Sequence, residues 1–449
     1  MAGIKVDGKK ITQMERREFI KRTGMAASAA MVLPYILPSG RLFAATGARK
    51  ANHVVFCLYA GGVRNLESIH KQDGNLMRAI LNGTENISAD ILPGLEAISN
   101  SPLALPLQNY GTLFKEFRYA SGPTGHYNGH TTAITGAYTQ VDLDIKSNPL
   151  NPTVFELYRK HNSPQQTALN SWWVSNTIGP YAALNFSKYP GYGANFGGNF
   201  ISPTSLISGS GYDALGNMKT FSNTEENTVK GIRSFMNNNF TSQFVDGNAG
   251  VTNGDVDKLL LQNYITDSFN KAITGQYTNP WMLPSAGVMN NDMYNIFFAE
   301  EILKQFKPEL LVVNIQDVDI CHSNFTQYAS NLRKADYAVA HLWNTIQNTP
   351  GLANDTIMIV APEHGRNLTS NNLVDNYGRK ALDHTSDATS REIFCLVVGP
   401  PGVIKQGQEI NTVTGESIDI VPTIANILGF DINIPSGILN GSVLNQAFV

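Results

Sequence analysis

Between Asp355 and His384 the chain carries the feature that most limits what it can fold into. Thr356 to Val360 is a short apolar run, rich in β-branched residues and closed by Ala361-Pro362; it reads as a buried strand. Glu363 and His364 follow at once, and Gly365 lets the backbone turn away sharply. A carboxylate and an imidazole at the carboxyl end of a buried strand stand where open α/β sheets bind ligands. Asp383-His384 repeats the pairing further on, and Asp317, Asp319 and His322 cluster just past another apolar run, Glu309 to Ile315. Oxygen and nitrogen donors in such clusters suit a divalent metal site, of one ion or a pair.

The rest of the chain supports a sheet with helices on both sides. His53 to Tyr59, Leu113 to Ala120, Thr167 to Val174 and Glu392 to Val398 read as further strands. Thr153 to His161, Val256 to Thr274, Asp292 to Phe306, Thr326 to Gln347 and Ser417 to Leu428 read as helices. Strands alternating with helices predict an α/β fold: three α/β/α layers around a mostly parallel sheet. A single domain over residues 48–449 accommodates it. Residues 185–255, rich in Asn, Gly, Ser and Tyr, form a loop-rich insertion.

Composition excludes some partners. A net charge of −3 with 15% charged residues gives no basic face for nucleic acid. Cys57, Cys321 and Cys395 are isolated thiols without Cys-x-x-Cys spacing, which argues against a disulfide framework or a cysteine zinc site. At the N-terminus, Arg16-Arg17 followed by Glu18-Phe19-Ile20-Lys21, the apolar stretch Met25 to Leu37 and then Ala44-Ala45 resemble a twin-arginine signal. Residues 1–47 are therefore expected to address the protein to the twin-arginine export machinery, and the mature chain to the periplasm or the exterior. The apolar stretch is too short for a membrane span, which needs about 20 residues.

His126 and His130 are four residues apart in a segment that runs into Ala133-Ile134-Thr135-Gly136, so on a helix they share a face. The Glu of a His-Glu-x-x-His motif is absent, so zinc-protease chemistry is not supported.

Taken in order, the Asp317–His322 loop, Thr356 to Gly365, Asp383-His384 and the closing Glu416-Ser417-Ile418-Asp419-Ile420-Val421-Pro422-Thr423-Ile424 resemble the alkaline phosphatase superfamily. That superfamily includes sulfatases, nucleotide pyrophosphatases and cofactor-independent phosphoglycerate mutases; the chain looks most like an exported bacterial branch. The resemblance covers the chain from about Ala51 onward. It implies a first metal held by Asp319 or Asp317, with His322 and His384, Asp319 being preferred. It implies a second held by Glu363 and His364, with Glu in place of the usual Asp. Asp383 and His130 would support the site. Zinc is the first choice of ion, with manganese, magnesium or calcium as alternatives.

Two positions depart from the superfamily pattern. Ala60 stands where the first strand normally ends in a metal-binding Asp, and Asn65 is the nearest polar substitute. His126 aligns with the nucleophilic Ser or Thr, with Thr124 nearby; the absence of Cys-x-Pro-x-Arg excludes the formylglycine mechanism. The resemblance thus implies a metal-dependent hydrolase of a phosphate or related ester with an altered nucleophile position, His126 serving as nucleophile, ligand or acid/base. The substrate would be a small-molecule or glycan ester. The alternative is a degenerate member that keeps the fold and binds through the insertion.

Overall fold

The computed structural model describes residues 35–36, 42–43, 47–69, 75–83, 93–140, 147–162, 165–175, 180–203, 248–284, 289–385 and 387–449. The paired arginines and residues 204–247 of the insertion lie outside the described residues. Two compact units are present, Met1–Ala45 and Thr46–Val449. In the first, Tyr35–Ile36 and Leu42–Phe43 pair antiparallel. The second unit holds the eight-stranded sheet.

Its strands are β1 (His53–Tyr59), β2 (Gly111–Arg118), β3 (Ser171–Val174), β4 (Asn199–Ile201), β5 (Leu310–Ile315), β6 (Thr356–Pro362), β7 (Glu392–Val398) and β8 (Gln408–Ile410). They form one eight-stranded sheet in the order β8-β2-β7-β6-β1-β5-β3-β4. All neighbours are parallel except that β7 runs antiparallel to both β6 and β2. The helices are α1 (His126–Thr135), α2 (Val154–His161), α3 (Asp255–Ile273), α4 (Asn291–Phe306), α5 (Phe325–Asn348) and α6 (Ile420–Leu428).

The continuous apolar runs are explained by burial on both faces. Val55, Cys57 and Tyr59 of β1 enter a core with α4 and α5, through Phe298, Leu332 and Leu342 among others. Val54, Phe56 and Leu58, on the opposite face, join a core with α1, α2 and α6, through Ile134, Phe155 and Ile424. The α/β/α layering expected from sequence is what the chain forms.

Local differences have local causes. α1 begins at His126, ahead of its apolar segment, with Gly125 as N-cap; Gly136 closes it in the left-handed conformation. Ala168–Asn170 is a 3-10 turn, so the expected strand from Thr167 shortens to β3. Ser417–Asp419 is likewise a 3-10 turn before α6. The insertion is not loops alone: β4 comes from it and extends the sheet beside β3. β8, the short polar run Gln-Glu-Ile, carries no apolar signal and was not anticipated.

The start of the insertion is fastened to α2 by one carboxylate. Thr153 and Glu156 form a capping box. Fully buried Glu156 also accepts hydrogen bonds from Ser187 N at 3.0 Å, Ser187 Oγ at 2.8 Å and Gly193 N at 2.6 Å. Glu156→Ala would strand these donors in the interior, where each lost partner costs about 1–3 kcal/mol. A clear fall in the midpoint of thermal unfolding is expected; an unchanged midpoint would show that the insertion is held by other contacts.

Candidate metal centre

Three adjacent parallel strands deliver the site. Tyr59, the last residue of β1, is level with Ile315 of β5 on one side and Pro362 of β6 on the other. The segments that follow them, Ala60-Gly61, Gln316 to His322 and Glu363-His364, therefore leave the sheet at one level. α1 points its N-terminus at the same place. Its Gly129 approaches so closely that a Cβ there would lie 3.0 Å from Glu363 Cβ and 3.1 Å from His364 Cδ2. The loop carrying Asp383 and His384 closes the far side.

Nε2 of His126 lies 2.7 Å from Asp319 Oδ1, 2.9 Å from His384 Nε2 and 3.4 Å from His322 Nε2. Nε2 of His322 lies 2.9 Å from His384 Nε2 and 3.3 Å from Asp319 Oδ1. The ligand atoms of His126, Asp319, His322 and His384 all fall within 4.8 Å of one another, as do those of His126, Glu363 and His364.

The other ring nitrogens are already engaged. His322 Nδ1 faces Asp383 Oδ1 at 2.7 Å, His384 Nδ1 faces the Thr124 carbonyl at 2.6 Å, and His364 Nδ1 faces the Gly365 carbonyl at 2.8 Å. These oxygens accept, so each Nδ1 donates outward and each Nε2 is turned inward. Two ring nitrogens 2.9 Å apart call for a cation or proton between them. His364 Nε2 is fully buried and finds no hydrogen-bond partner among the described residues. Histidines held this way by a carboxylate or carbonyl on the outer nitrogen are the common form of metal ligand. The donor set fits a divalent ion, and three imidazoles with a carboxylate fit zinc.

Electrostatics follow from the same contacts. Burial, with help from His364 and His126, pushes His384 down to about 2. Burial also takes His364 to about 3. Burial disfavours charge on His126 too, but Glu363 and Asp319 at its two nitrogens outweigh it and raise the ring to about 9. Glu363 is held well below the usual carboxylate range, against the effect of burial, by His130, His364 and His126.

The structure brings together Asp319, His322, Glu363, His364, His384 and His126, with Asp383 behind His322. It does not bring in Asp317. That carboxylate turns toward the start of α4, accepting from Asn291 Nδ2 at 3.2 Å and Asp292 N at 3.3 Å, so the Asp317 alternative is corrected. Asn65 does not replace the missing aspartate either: it lines a separate cavity of about 530 Å³ with Arg64, Leu66 and Lys115. His130 is closer than expected, its Nδ1 packed against Glu363 Oε2 and its Nε2 2.9 Å from Asn314 Oδ1. Thr124 offers no free hydroxyl, since Oγ1 donates to the carbonyls of His384 and Thr385.

One functional residue escaped the sequence. Arg366 is fully buried and donates to the carbonyls of Gly61, Gly62 (3.1 Å) and Leu382 (2.7 Å) and to Asp319 Oδ1 (3.1 Å). It ties three loops together and fixes Asp319. Its only signal was its position just after Glu363-His364-Gly365.

The profile of type I phosphodiesterases / nucleotide pyrophosphatases matches residues 83–411. No curated protein matches the chain in sequence. Among solved structures it is similar to a protein in the alkaline phosphatase superfamily from Vibrio parahaemolyticus, at 12% identity over 94% of this chain and 79% of that one, TM-score 0.41. It is similar to a mutant of alkaline phosphatase PafA, at 9% identity over 90% of this chain and 100% of that one, TM-score 0.46. It is also similar to the lipoteichoic acid synthase LtaP from Listeria monocytogenes, at 12% identity over 91% of this chain and 80% of that one, TM-score 0.41. With the profile spanning well over half of its length, the chain belongs to the type I phosphodiesterase / nucleotide pyrophosphatase family.

Proposed function

We propose that this protein is an exported, metal-dependent hydrolase of a phosphate or related ester, with His126 in the place of the usual nucleophile. The convergence of inward-turned Nε2 atoms on Asp319, each ring held from behind, carries the reading. Asp319, His322, His384 and His126 would hold a divalent ion, which would supply Lewis-acid chemistry to the bound ester.

The chain's own groups do the rest. α1 has no side-chain cap at its N-terminus, so its first N–H groups and the positive end of its dipole are left for an anionic oxygen of the substrate. Arg366 and Asp383 keep Asp319 and His322 from turning out of line. His126 stands between Glu363 and Asp319, poised to hold a proton at Nδ1 toward Glu363.

A second reading, a degenerate member that binds an ester without turning it over, is favoured by one observation: the Thr124 hydroxyl, near the proposed nucleophile position, is bound to two carbonyls. Steady-state assay of zinc-loaded protein on bis-p-nitrophenyl phosphate, p-nitrophenyl phosphate and p-nitrophenyl sulfate separates the two. We expect turnover of at least one ester, abolished by chelation and lowered at least about 100-fold in His126→Ala. No turnover of any ester by metal-replete protein would favour the binding reading. His130→Ala is also expected to lower turnover, because His130 supports Glu363. Asp383→Asn should weaken metal affinity by about 10–100-fold, read by competition with a chelator; unchanged affinity would remove Asp383 from the site.

Export is part of the proposal and rests on the Arg16-Arg17 segment. Changing both arginines to lysine should leave the precursor in the cytoplasm, since the pair is read by a receptor. Undiminished export of that variant, followed by cell fractionation, would exclude the twin-arginine route.

A further inference from the structure

We infer that the cavity bordered by Asn65, outside the metal centre, is a second binding site, and that it takes a small primary ammonium ion through Glu392. The inference does not depend on the metal-dependent reading above.

The cavity has a volume of about 530 Å³, within the range of small-molecule sites. It opens where β2 departs from regular pairing. Phe114 is level with Cys395 and Phe117 with Ile393, so β2 has one extra residue against β7 between them. Both phenylalanine rings enter the same core. Regular alternation would send the two residues between them to opposite faces, but at this bulge Lys115 and Glu116 both line the cavity. Glu392, the first residue of β7, lies in the same wall, and Leu66 and Ile69 of the β1 loop and Leu368 bring aliphatic surface to it.

The charges of this wall do not cancel. Arg64 donates from Nε to Glu67 Oε2 at 2.9 Å, and Lys115 Nζ stands 3.3 Å from Glu409 Oε2. That leaves two carboxylates, Glu116 and Glu392, beside one guanidinium, Arg118, which is level with Glu392 across the strand pair. Arg118 donates Nη2 to Glu116 at 2.7 Å and Nη1 to the Phe117 carbonyl at 3.0 Å. The Glu392 side chain has no hydrogen bond or ion pair among the described residues. One negative charge remains, in a half-buried carboxylate with all its acceptor positions unused.

The complement of such a wall is a monocation with an apolar body. A bare metal ion would leave the aliphatic side unused and would find too few oxygens. A quaternary ammonium is held by aromatic faces, and no aromatic side chain is among the residues that line this cavity. A primary ammonium donates hydrogen bonds to Glu392, while its hydrocarbon covers Leu66, Ile69 and Leu368.

The test is calorimetric titration of the full chain with cyclohexylammonium, in the presence of a chelator so that the metal centre plays no part. Cyclohexanol and cyclohexanecarboxylate, of the same shape, are the neutral and anionic controls. Saturable binding of one ammonium per chain is expected, with both controls weaker. Glu392→Gln should weaken the ammonium at least about tenfold, because the bond to the ligand loses its charge. Leu368→Lys, at an exposed side chain on the wall, should weaken it too by setting a competing cation there. Circular dichroism reports the fold of both variants. Equal binding of cyclohexanol would make the cavity merely apolar and overturn the inference. So would preference for the carboxylate, full affinity in folded Glu392→Gln, or no saturable binding by the wild type.

Discussion

Glu363 is a carboxylate without solvent contact at the end of the central strand, and the surroundings are built around keeping it ionised. An unpaired charge in that position would be very costly. Here the Gly61 N–H, His126 and His130 approach it from the β1 loop and from both turns of the α1 start. The close packing of α1 against β6 at Gly129 follows, because His126 and His130 reach Glu363 only if the helix comes this near. Arg366 then performs the same service for Asp319, and through its bonds to the carbonyls of Gly61, Gly62 and Leu382 it sets the spacing of the loops on which the remaining donors sit.

The apolar runs made much of the fold legible. His53–Tyr59, Leu310–Ile315 and Thr356–Pro362 are continuous because both faces are covered, and continuity in sequence is what such burial looks like. β4 and β8 were invisible because edge strands three residues long carry neither length nor apolar pattern. In the site, the donors could be named since each sits at a strand end or beside an aspartate. The choice between Asp317 and Asp319 turned on a 3-10 turn that points one carboxylate inward and the other toward α4. Spacing alone does not reveal that turn. Arg366 went unread because nothing local distinguishes an arginine that bonds three loops from one in solvent.

Ala60 brings no carboxylate to the end of β1, and the His126 ring stands against Glu363. The Thr124 hydroxyl staples the His384 loop by donating to two of its carbonyls. Its role has become mechanical: His384 is held by the Thr124 backbone carbonyl, and that carbonyl is held in place by the threonine's own side chain.

The single antiparallel strand has a consequence for how such a site diversifies. Because β7 runs back beside β6, residues 363–391 leave and rejoin the sheet at the same edge. One excursion thus supplies Glu363, His364, Asp383 and His384, and it also presents Leu368, Leu373, Val374 and Tyr377 to solvent at the rim. A crossover between parallel strands has to span the sheet, so its length is constrained by the packing beneath it. This excursion returns to the end of the sheet it left, so no span across the sheet sets its length. Insertions or deletions between Asn367 and Leu382 would reshape the approach to the site while every strand keeps its register, which makes the segment the natural place for related chains to change what they admit.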